Sequence, residues 1–521
     1  FTADEFIKYA TESEKAGDYI LMNDIVLNDY TPLDTDLIKS LDGNGYTIHI
    51  NSFAMPESDN SLKLALFNSV DEDSTLKNIR VNLYNGGQIA VNVSQYNNIN
   101  IAGFAIENNG VIYNCEVVSY YDENYQSSAI SGDTGLVVKY MLGNNTDPIN
   151  LTAAMVSAMS IESKVSGFVS QNNDSIMNSR VGGESIRQIL NVAETSYIKS
   201  QKLGNFVIEG QGEVVGFVNS NSSSAYISAS FADNVQIYNN MAATTSITAG
   251  FVGYNNNKIQ NSYVEGRREG SVTSDNANVY NNLTNISSIG IIAGFVYENN
   301  ALIKNSYANI AIENSSSKAS LVAGFVYKNE RDGEIKLCYA ACEITKSDIN
   351  QMLFSGVDDF ANSLNNGKIS FSYYFNGTRD ETTSQSKVTS GALAVTDIGK
   401  QDTFYGFSFA TDSESYNGIW EISDNGITLV SPDKIAFSNR YGVTNTSGVT
   451  TIFYNKTLLD ADTMRRVDLS YGSENNPIII RNAYDFAVAT GKATTKEISS
   501  YKEYYSDAEV NGNYRLVNNI D

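Results

Sequence analysis

One pattern recurs along the chain and constrains its fold more than any other feature. The clearest copy is AGFVYENNALIKNSYANI, residues 293–310. Further copies begin at Ala102, Ser166, Ala249 and Ala323, and weaker ones at Leu64, Val215 and Phe360. Because internal repeats determine the architecture of the whole chain, they take precedence over any local motif.

One copy of the pattern predicts two short strands joined by a turn. Ala-Gly-Phe-Val is β-prone, and Gly294 lets a neighbouring backbone approach closely. Residues 298–300, Glu-Asn-Asn, predict a turn, because Asn tolerates positive φ and bonds its own backbone. The second strand is expected to begin at Leu302 or Ile303.

Asn305 predicts a bend inside this second half. Strict alternation would place it on the face that carries Ile303 and Tyr307, where an amide side chain is unfavourable. A bend at Asn305 would reset the alternation. We therefore expect this Asn and its equivalents to stack from coil to coil and exchange amide hydrogen bonds. The equivalent positions are Asn114, Asn178 and Asn261.

Short strands, Asn/Gly turns and a repeat that cannot bury its apolar face alone favour a β-solenoid over a propeller or a sandwich. The repeated Phe residues lie 30 to 64 positions apart, which predicts loops or extra coils between copies, whereas propeller blades would be spaced more evenly. These residues are Phe104, Phe168, Phe217, Phe251, Phe295 and Phe325. Only five prolines occur, as continuous strand ladders require.

The pattern GFVxxNxxxIxNSY resembles the GLUG-type repeat of bacterial surface adhesins and of non-catalytic regions of large secreted peptidases. The opening, FTADEFIKYATESEKAGDYILMNDIVL followed by LDGNGYTIHI, resembles the usual start of such modules. The resemblance covers about residues 1–430. It implies an all-β, right-handed parallel β-solenoid (β-helix) with a short helix at the module start, located outside the cell.

Four segments are predicted. Residues 1–30 form the module-opening helix and strand, and residues 31–430 form the solenoid, with Trp420 in a C-terminal cap over the last coil. Residues 431–475 are a β-rich connector. Residues 476–521 begin the next tandem module, because Ala483–Phe486 repeats the motif Ala3–Phe6.

The net charge of −24 argues against nucleic acid or an anionic membrane as a partner. The basic pairs at 267–268 and 465–466 are flanked by acids and are interpreted as solvated loops.

No apolar run is long enough to span a bilayer, so direct membrane insertion is not expected. The chain opens at Phe1 without a signal peptide, which we interpret as a processed or excised segment of a secreted protein.

Candidate chemical groups are few. Cys115 and Cys338 occupy a position that holds Ser in other copies, and Cys342 is too far along a strand from Cys338 for a disulfide. His49, the only histidine, is interpreted as a strand residue. Residues 42–45, Asp-Gly-Asn-Gly, predict a hairpin turn rather than a calcium loop. No catalytic, cofactor-binding or metal-ligating residue is therefore predicted.

Carboxylate pairs keep one enzymatic alternative open, because glycoside hydrolysis needs two carboxyls about 5 to 9.5 Å apart. The candidates are residues 71–73, the pair Asp332 and Glu334, and residues 358–359, all in predicted turns. The favoured hypothesis is a non-catalytic extracellular stalk, fibre or adhesive surface that contacts tandem modules, glycans or cell-surface proteins. The alternative is a carbohydrate-active β-helix protein, tailspike-like proteins included, or a spacer of a secreted peptidase. Carboxylates that converge beside exposed aromatics would favour the alternative.

Overall fold

A computed structural model provides the structure of the chain. The structure describes residues 2–11, 17–44, 46–57, 60–121, 134–182, 202–203, 206–233, 235–265, 268–272, 278–282, 285–314, 322–346, 366–375, 392–395, 401, 404, 406–409, 420–423, 426–429, 441–446, 449–454, 478–480 and 514–516.

The described strands form a parallel β-solenoid whose coils pass through five sheets, numbered 1 to 5 here, in a constant order. Each strand pairs in parallel with its equivalent in the preceding and following coils. Seven consecutive coils contain all five strands. The predicted solenoid, with a short helix at its start, is confirmed. A representative coil consists of Glu213–Val215, Val218–Asn221, Tyr226–Ser228, Phe231–Asp233 and Val235–Asn239.

The strands of each sheet stack along the solenoid axis in chain order. Sheet 1 contains Ser61–Leu64, Asn98–Ala102, Glu162–Ser166, Glu213–Val215, Ile247–Ala249, Ile291–Ala293 and Val322–Ala323. Sheet 2 contains Leu33–Asp34, Phe67–Val70, Ala105–Asn108, Val169–Asn172, Val218–Asn221, Val252–Asn255, Val296–Asn299 and Val326–Asn329. Sheet 3 contains Gly17–Ile20, Ile38–Asp42, Thr75–Lys77, Val111–Tyr113, Ser175–Met177, Tyr226–Ser228, Lys258–Gln260, Leu302–Lys304, Glu334–Lys336 and Lys368–Ser370.

Sheets 4 and 5 complete each coil. Sheet 4 contains Ile25–Leu27, Thr47–Ile50, Arg80–Asn82, Glu116–Val118, Arg180–Gly182, Phe231–Asp233, Tyr263–Glu265, Tyr307–Asn309, Tyr339–Ala340, Ser372–Phe375 and Ala392–Val395. Sheet 5 contains Gln88–Asn92, Thr134–Met141, Phe206–Gly210, Val235–Asn239, Asn285–Ser288, Ala311–Asn314 and Glu343–Lys346.

The remaining described elements are two helices and five strand pairs. The helices are α1, Ala3–Thr11, and α2, Ala153–Met159. The antiparallel pairs are Tyr120–Tyr121 with Lys202–Leu203, Arg268–Val272 with Asn278–Asn282, Trp420–Ser423 with Gly426–Leu429, and Tyr441–Thr446 with Val449–Tyr454. The parallel pair is Ile478–Ile480 with Tyr514–Leu516.

A continuous stack of phenylalanine rings runs through the core. Neighbouring ring centroids are 4.7 to 5.7 Å apart, and the rings in the middle of the stack are nearly parallel. The stack consists of Phe67, Phe104, Phe168, Phe217, Phe251, Phe295 and Phe325. Phe6 of α1 lies 6.5 Å from Phe67, so this amphipathic helix covers the first end of the stack.

The Ala-Gly-Phe-Val segment is a bend between two strands rather than the single strand predicted for it. Ala293 ends a strand of sheet 1 and Val296 begins one of sheet 2. A Cβ atom on Gly294 would lie 1.9 Å from the carbonyl oxygen of Gly324 in the next coil. The predicted close backbone approach is therefore confirmed, and it occurs at a corner of the coil, where the chain must turn without moving away from its neighbour.

The bend predicted at Asn305 is confirmed, since φ is 47° there and 48 to 53° at the three equivalent asparagines. The predicted amide ladder is confirmed in two segments. Nδ2 of one residue donates to Oδ1 of its equivalent in the preceding coil at 2.7 to 3.2 Å. The bonded pairs are Asn114 to Asn78, Asn178 to Asn114, and Asn305 to Asn261. Ala229, also at positive φ, separates the two segments.

A second asparagine ladder is formed by the last residues of the sheet 2 strands. Its members are fully buried, and their Nδ2 and Oδ1 atoms join successive coils at 2.7 to 2.9 Å. They are Asn108, Asn172, Asn221, Asn255, Asn299 and Asn329. Asn299, predicted to lie in a turn, is instead the last residue of its strand. This ladder adds a hydrogen bond between coils beyond those of the backbone.

We expect Asn305→Leu to lower the free energy of unfolding by about 1 to 3 kcal/mol, because Asn261 loses a buried amide partner. The matched variant is Ala229→Asn. Oδ1 of Asn178 is buried and accepts no hydrogen bond within the described residues, and Asn is more tolerant of positive φ than Ala. Ala229→Asn should therefore raise stability in the same urea titration. Equal midpoints for both variants and the parent would contradict the ladder's energetic role.

Candidate ligand-binding groove

Sheets 1 and 2 form a concave groove on the outside of the solenoid. Along the strands of sheet 1, side chains alternate between the core and the exterior, and the exterior ones contact outward-facing side chains of sheet 2. Near one end, Ala65, Ala102 and Ile106 form a small cluster separate from the core. Near the other end, Ala293 and Ala323 pack against tyrosines of sheet 2. Such contacts between outward-facing side chains require the two faces to meet at a concave angle.

The groove floor is a row of small side chains that end the strands of sheet 1. Each is at most 1% exposed although it points away from the core, because the opposite wall covers it. The row consists of Ala102, Ser166, Val215, Ala249, Ala293 and Ala323. Ser166 Oγ is buried in this floor and has no hydrogen-bond partner in the part of the chain that the structure describes.

Tyrosines line the sheet 2 wall in the coils around Gly253. A Cβ atom on Gly253 would lie 2.5 Å from the backbone oxygen of Asn219 and 3.5 Å from Val215 Cγ1, so the chain is closely packed there and the wall stands directly over the floor. Tyr254 and Tyr297 meet edge to face, with ring centroids 5.4 Å apart at 84°. Tyr297 stacks on Tyr327 at 5.6 Å. Tyr254 and Tyr297 are half-buried, so part of each ring remains accessible.

Two carboxylates converge beside these rings. Glu213 accepts hydrogen bonds from Asn219 Nδ2 at 3.0 Å and from Tyr254 Oη at 3.4 Å. Glu298 follows Tyr254 in register and pairs with Lys328 Nζ at 3.2 Å. The groove therefore combines aromatic surface with both donors and acceptors of hydrogen bonds.

The groove tyrosines are held in their protonated form. Burial raises the pKa of Tyr254 well above its ordinary value, and the nearby Glu213 carboxylate adds to the rise. Burial and Glu298 raise the pKa of Tyr297 in the same direction. Both phenols are therefore hydrogen-bond donors at neutral pH rather than anions.

A buried ion cluster occupies the outer face of sheet 4. Glu116 is 0% exposed and lies between Arg80 and Arg180 of the neighbouring strands. Arg80 Nε is 2.5 Å from Oε1, and Arg180 Nε is 2.6 Å from Oε2. Both carboxylate oxygens are thereby engaged, so this glutamate is suited to joining three coils rather than to accepting a substrate proton.

The same outer row of sheet 4 becomes aromatic in later coils. It continues as Phe231, Tyr263, Tyr307, Tyr339 and Tyr373. Trp420 lies 6.1 Å from Tyr307 and 4.5 Å from Phe407, measured between ring centroids. The predicted position of Trp420 on the end of the last coil is therefore wrong. It covers a lateral face, because the aromatic row offers a continuous apolar surface there.

The other residues considered from the sequence lie outside the groove. His49 is buried in sheet 4, with Nδ1 3.1 Å from Asn82 Nδ2. Asp42 is buried at the end of a sheet 3 strand and accepts hydrogen bonds from Asn44 N and Asn78 Nδ2. The prediction of a hairpin at residues 42–45 is wrong, because the strands before and after this segment belong to different sheets. Its described residues, 42–44, lie at a corner of the coil.

The cysteine interpretation is confirmed for the position shared with serine. The backbone N–H of Cys115 donates to Ser179 Oγ, and that of Cys338 donates to Ser372 Oγ, each at 3.2 Å. All three cysteines are free thiols. Burial raises the pKa of Cys338 and of Cys342 to about 12, which keeps both thiols protonated and weakly nucleophilic.

The acidic clusters singled out from the sequence do not line the groove. Residues 71–73 and Asp332 lie at the turn between sheets 2 and 3, and Glu334 is the first residue of the sheet 3 strand that follows the turn. Residues 358–359 lie outside the described residues. The basic pair at 465–466 and the first arginine of the pair at 267–268 also lie outside them. In the described part of the chain, no group of three or more His, Cys, Asp or Glu side chains could hold a metal ion.

Sequence reasoning missed the groove residues although a signal was present. Aligned copies read GFVGYNN, GFVYENN and GFVYKNE, so a tyrosine recurs two or three positions after the core Phe.

Comparisons with protein-family models, curated proteins and solved structures give no match. Within the described residues, neither helix is long and apolar enough to cross a membrane.

Proposed function

We propose that this chain is a non-catalytic extracellular structural or adhesive protein, a repeat unit of a stalk, fibre or surface appendage. The observation that carries the proposal is the set of axial stacks, of which the phenylalanine stack and the asparagine ladder of sheet 2 are unbroken. Seven complete coils share one core, a phenylalanine stack and asparagine ladders. With about 4.8 Å between neighbouring strands, the eleven strands of sheet 4 extend over about 48 Å. Such a rod suits the separation of a binding surface from its anchor.

Neighbouring modules of the same kind are the proposed partners. Support comes from the parallel pairing of Ile478–Ile480 with Tyr514–Leu516, in the segment whose sequence repeats the module start. In the first module, the strand Gly17–Ile20 lies after α1, as Tyr514–Leu516 lies after the repeated motif Ala483–Phe486. Their partners differ, because Gly17–Ile20 pairs with the later strand Ile38–Asp42, whereas Tyr514–Leu516 pairs with a strand that precedes the repeated motif. Stacked modules would continue the rod and lengthen it without a new fold.

One observation favours the carbohydrate-active alternative. Glu213 and Glu298 lie beside accessible tyrosines, which is the arrangement expected to distinguish that class. Both carboxylates already have protein partners, Asn219 and Tyr254 for the first and Lys328 for the second. A tight ion pair and an engaged acceptor suit binding better than acid–base work, so the non-catalytic proposal is retained.

The proposed extracellular location and the proposed tandem array of modules can be tested together on the native protein. Antibodies against the purified chain should label intact, unpermeabilised cells of the source organism. The antigen released from the surface should be larger than this chain, because it contains further modules. Labelling that requires permeabilisation would overturn the extracellular assignment. A mature chain that ends at Asp521 with no joined neighbour would overturn the tandem array.

A further inference from the structure

We propose that the strand Gly17–Ile20, which ends sheet 3, is the docking edge for a parallel, isoleucine-rich strand that enters from a preceding module. This inference rests on the proposed tandem array, and it gives the junction between modules a site and a partner strand. The partner strand has the chemistry of residues 476–480, Asn-Pro-Ile-Ile-Ile, which precede the repeated module start in this chain. Docking would add one more strand to sheet 3 and continue its parallel pairing.

Each of the two module starts shows one neighbour of the same strand. The aligned segments read GDYILMN and GNYRLVN. In the first copy, Gly17–Ile20 pairs with the later strand Ile38–Asp42. In the second copy, Tyr514–Leu516 pairs with the earlier strand Ile478–Ile480. Because a strand has only two edges and the following coil takes one of them, the preceding strand takes the other.

The docking edge has backbone donors on its outer side. The N–H groups of Gly17 and Leu21 donate inward, at 3.2 and 2.9 Å, to carbonyl oxygens of the strand Ile38–Asp42 and of the residue before it. Donors alternate between the two sides of a parallel strand, so those of Asp18 and Ile20 point outward. Within the described residues, no strand lies on that side. The edge contains neither lysine nor proline, which commonly protect an exposed edge, and its one shift in register falls at its first step.

Side-chain burial shows the same open side. Tyr19 is in register with Leu41, and Leu41 is in register with Leu76. Both leucines are at most 1% exposed, because strands flank them on both sides. Tyr19 packs against the same core but is only half-buried, and Met22, just beyond the strand, is 52% exposed. A strand on the outer side would cover the open side of the Tyr19 ring.

The helix α1 supplies the connection between the two strands. Parallel neighbours require a crossover of about a dozen residues or more, usually through a helix. α1, Ala3–Thr11, precedes the docking edge and packs its Phe6 against the first ring of the phenylalanine stack. In the second copy, the motif that aligns with the start of α1 begins at Ala483, shortly after Ile480. The equivalent strand therefore falls immediately before Phe1, which gives a strand–helix–strand unit.

The register of the second copy assigns the contacts. Ile478 pairs with Tyr514, the equivalent of Tyr19, so the first isoleucine of the docked strand would lie beside the Tyr19 ring. Three consecutive β-branched apolar side chains suit a parallel strand that is covered on both faces. The proline before them has no N–H group and suits the beginning of a strand.

The test is hydrogen-exchange mass spectrometry on the full chain with Asn-Pro-Ile-Ile-Ile added directly before Phe1. We expect the amides of Asp18 and Ile20 to exchange at least tenfold more slowly than in the unextended chain, because they become hydrogen-bonded. The matched control is an Asn-Pro-Gly-Ser-Gly extension of equal length, which should leave their exchange unchanged. Equal protection of Val218–Asn221, in the middle of sheet 2, shows that all three proteins are folded.

Each outcome decides the proposal. Equal exchange of Asp18 and Ile20 in the two extended chains overturns the docking strand. It leaves the tandem array standing, because the size of the surface antigen tests the array separately. Loss of protection at Val218–Asn221 with the isoleucine extension alone would mean that this segment disrupts the solenoid instead of docking, and it also overturns the proposal. Protection of the edge in the unextended chain only at raised protein concentration would assign the edge to a second copy instead.

Discussion

Glu116→Gln is expected to lower the free energy of unfolding by about 3 to 5 kcal/mol, because it leaves two buried guanidinium groups without their shared counter-charge. Glu116 is fully buried, and Arg80 and Arg180 are less than 10% exposed, so water cannot replace the lost carboxylate. Each of the three residues belongs to a different coil. The loss therefore weakens two successive interfaces between coils, and urea unfolding followed by circular dichroism should measure it.

Two further variants show whether the loss of stability comes from the burial of the ion cluster or from the removal of a charge alone. Lys139→Gln removes an ion pair with Glu209 whose lysine is 42% exposed, and we expect a loss below about 1 kcal/mol. Replacing the whole buried cluster by Met at both arginines and Leu at Glu116 should restore much of the stability, because no unpaired charge remains. A similar loss for Glu116→Gln and Lys139→Gln would show that the buried cluster does not join the coils.

The coil itself was predictable from single copies of the repeat. A residue with an amide side chain between Ile303 and Tyr307 cannot occupy an apolar face, and this local conflict is enough to place the bend at Asn305. The same reasoning places Cys338 in the serine position, since both residues fill one small site. These features depend only on which side chains share a face, and alternation along a strand reveals that.

Features that depend on stacking were not visible in one copy. Asn299 looks like a turn residue, because its burial arises only when Asn255 and Asn329 cover it from the adjacent coils. The Ala-Gly-Phe-Val segment looks like a strand, because its composition is β-prone. At its bend only glycine fits against the carbonyl oxygen of the glycine in the next coil, and that contact runs along the axis.

The outer faces were the least predictable part of the chain. On sheet 4 one register position is occupied by Arg180 and then by Phe231, so no common residue type marks it. Its buried state depends on what covers that face, such as the segment with Trp420. The groove residues Tyr254 and Glu213 come from different strands and meet only through the angle between sheets 1 and 2. Such angles are set by the whole coil rather than by any motif.

Gly216→Ala should be at least as damaging as the loss of Glu116. A Cβ atom there would lie 1.8 Å from the carbonyl oxygen of Gly250, and this oxygen cannot move without separating two coils. Separation would break the backbone hydrogen bonds from Gly216 N to Ala249 O and from Phe217 N to Phe251 O. We expect a loss of at least about 4 kcal/mol, because both overpacking and broken backbone pairing contribute.

Gly143→Ala is the control that separates overpacking between coils from the loss of glycine's conformational freedom. Gly143 has φ of +60°, but the nearest atom to a new Cβ would be 3.9 Å away, so only the conformational preference of glycine is lost there. That loss is about 1 to 2 kcal/mol. If close approach of the coils is what requires glycine in the repeat, the loss of unfolding free energy for Gly216→Ala must be at least about twice that for Gly143→Ala in the same urea titration. Equal losses would mean that the coils can move apart to accept a methyl group, and the recurrence of Gly before six of the seven Phe residues of the stack would then need another explanation.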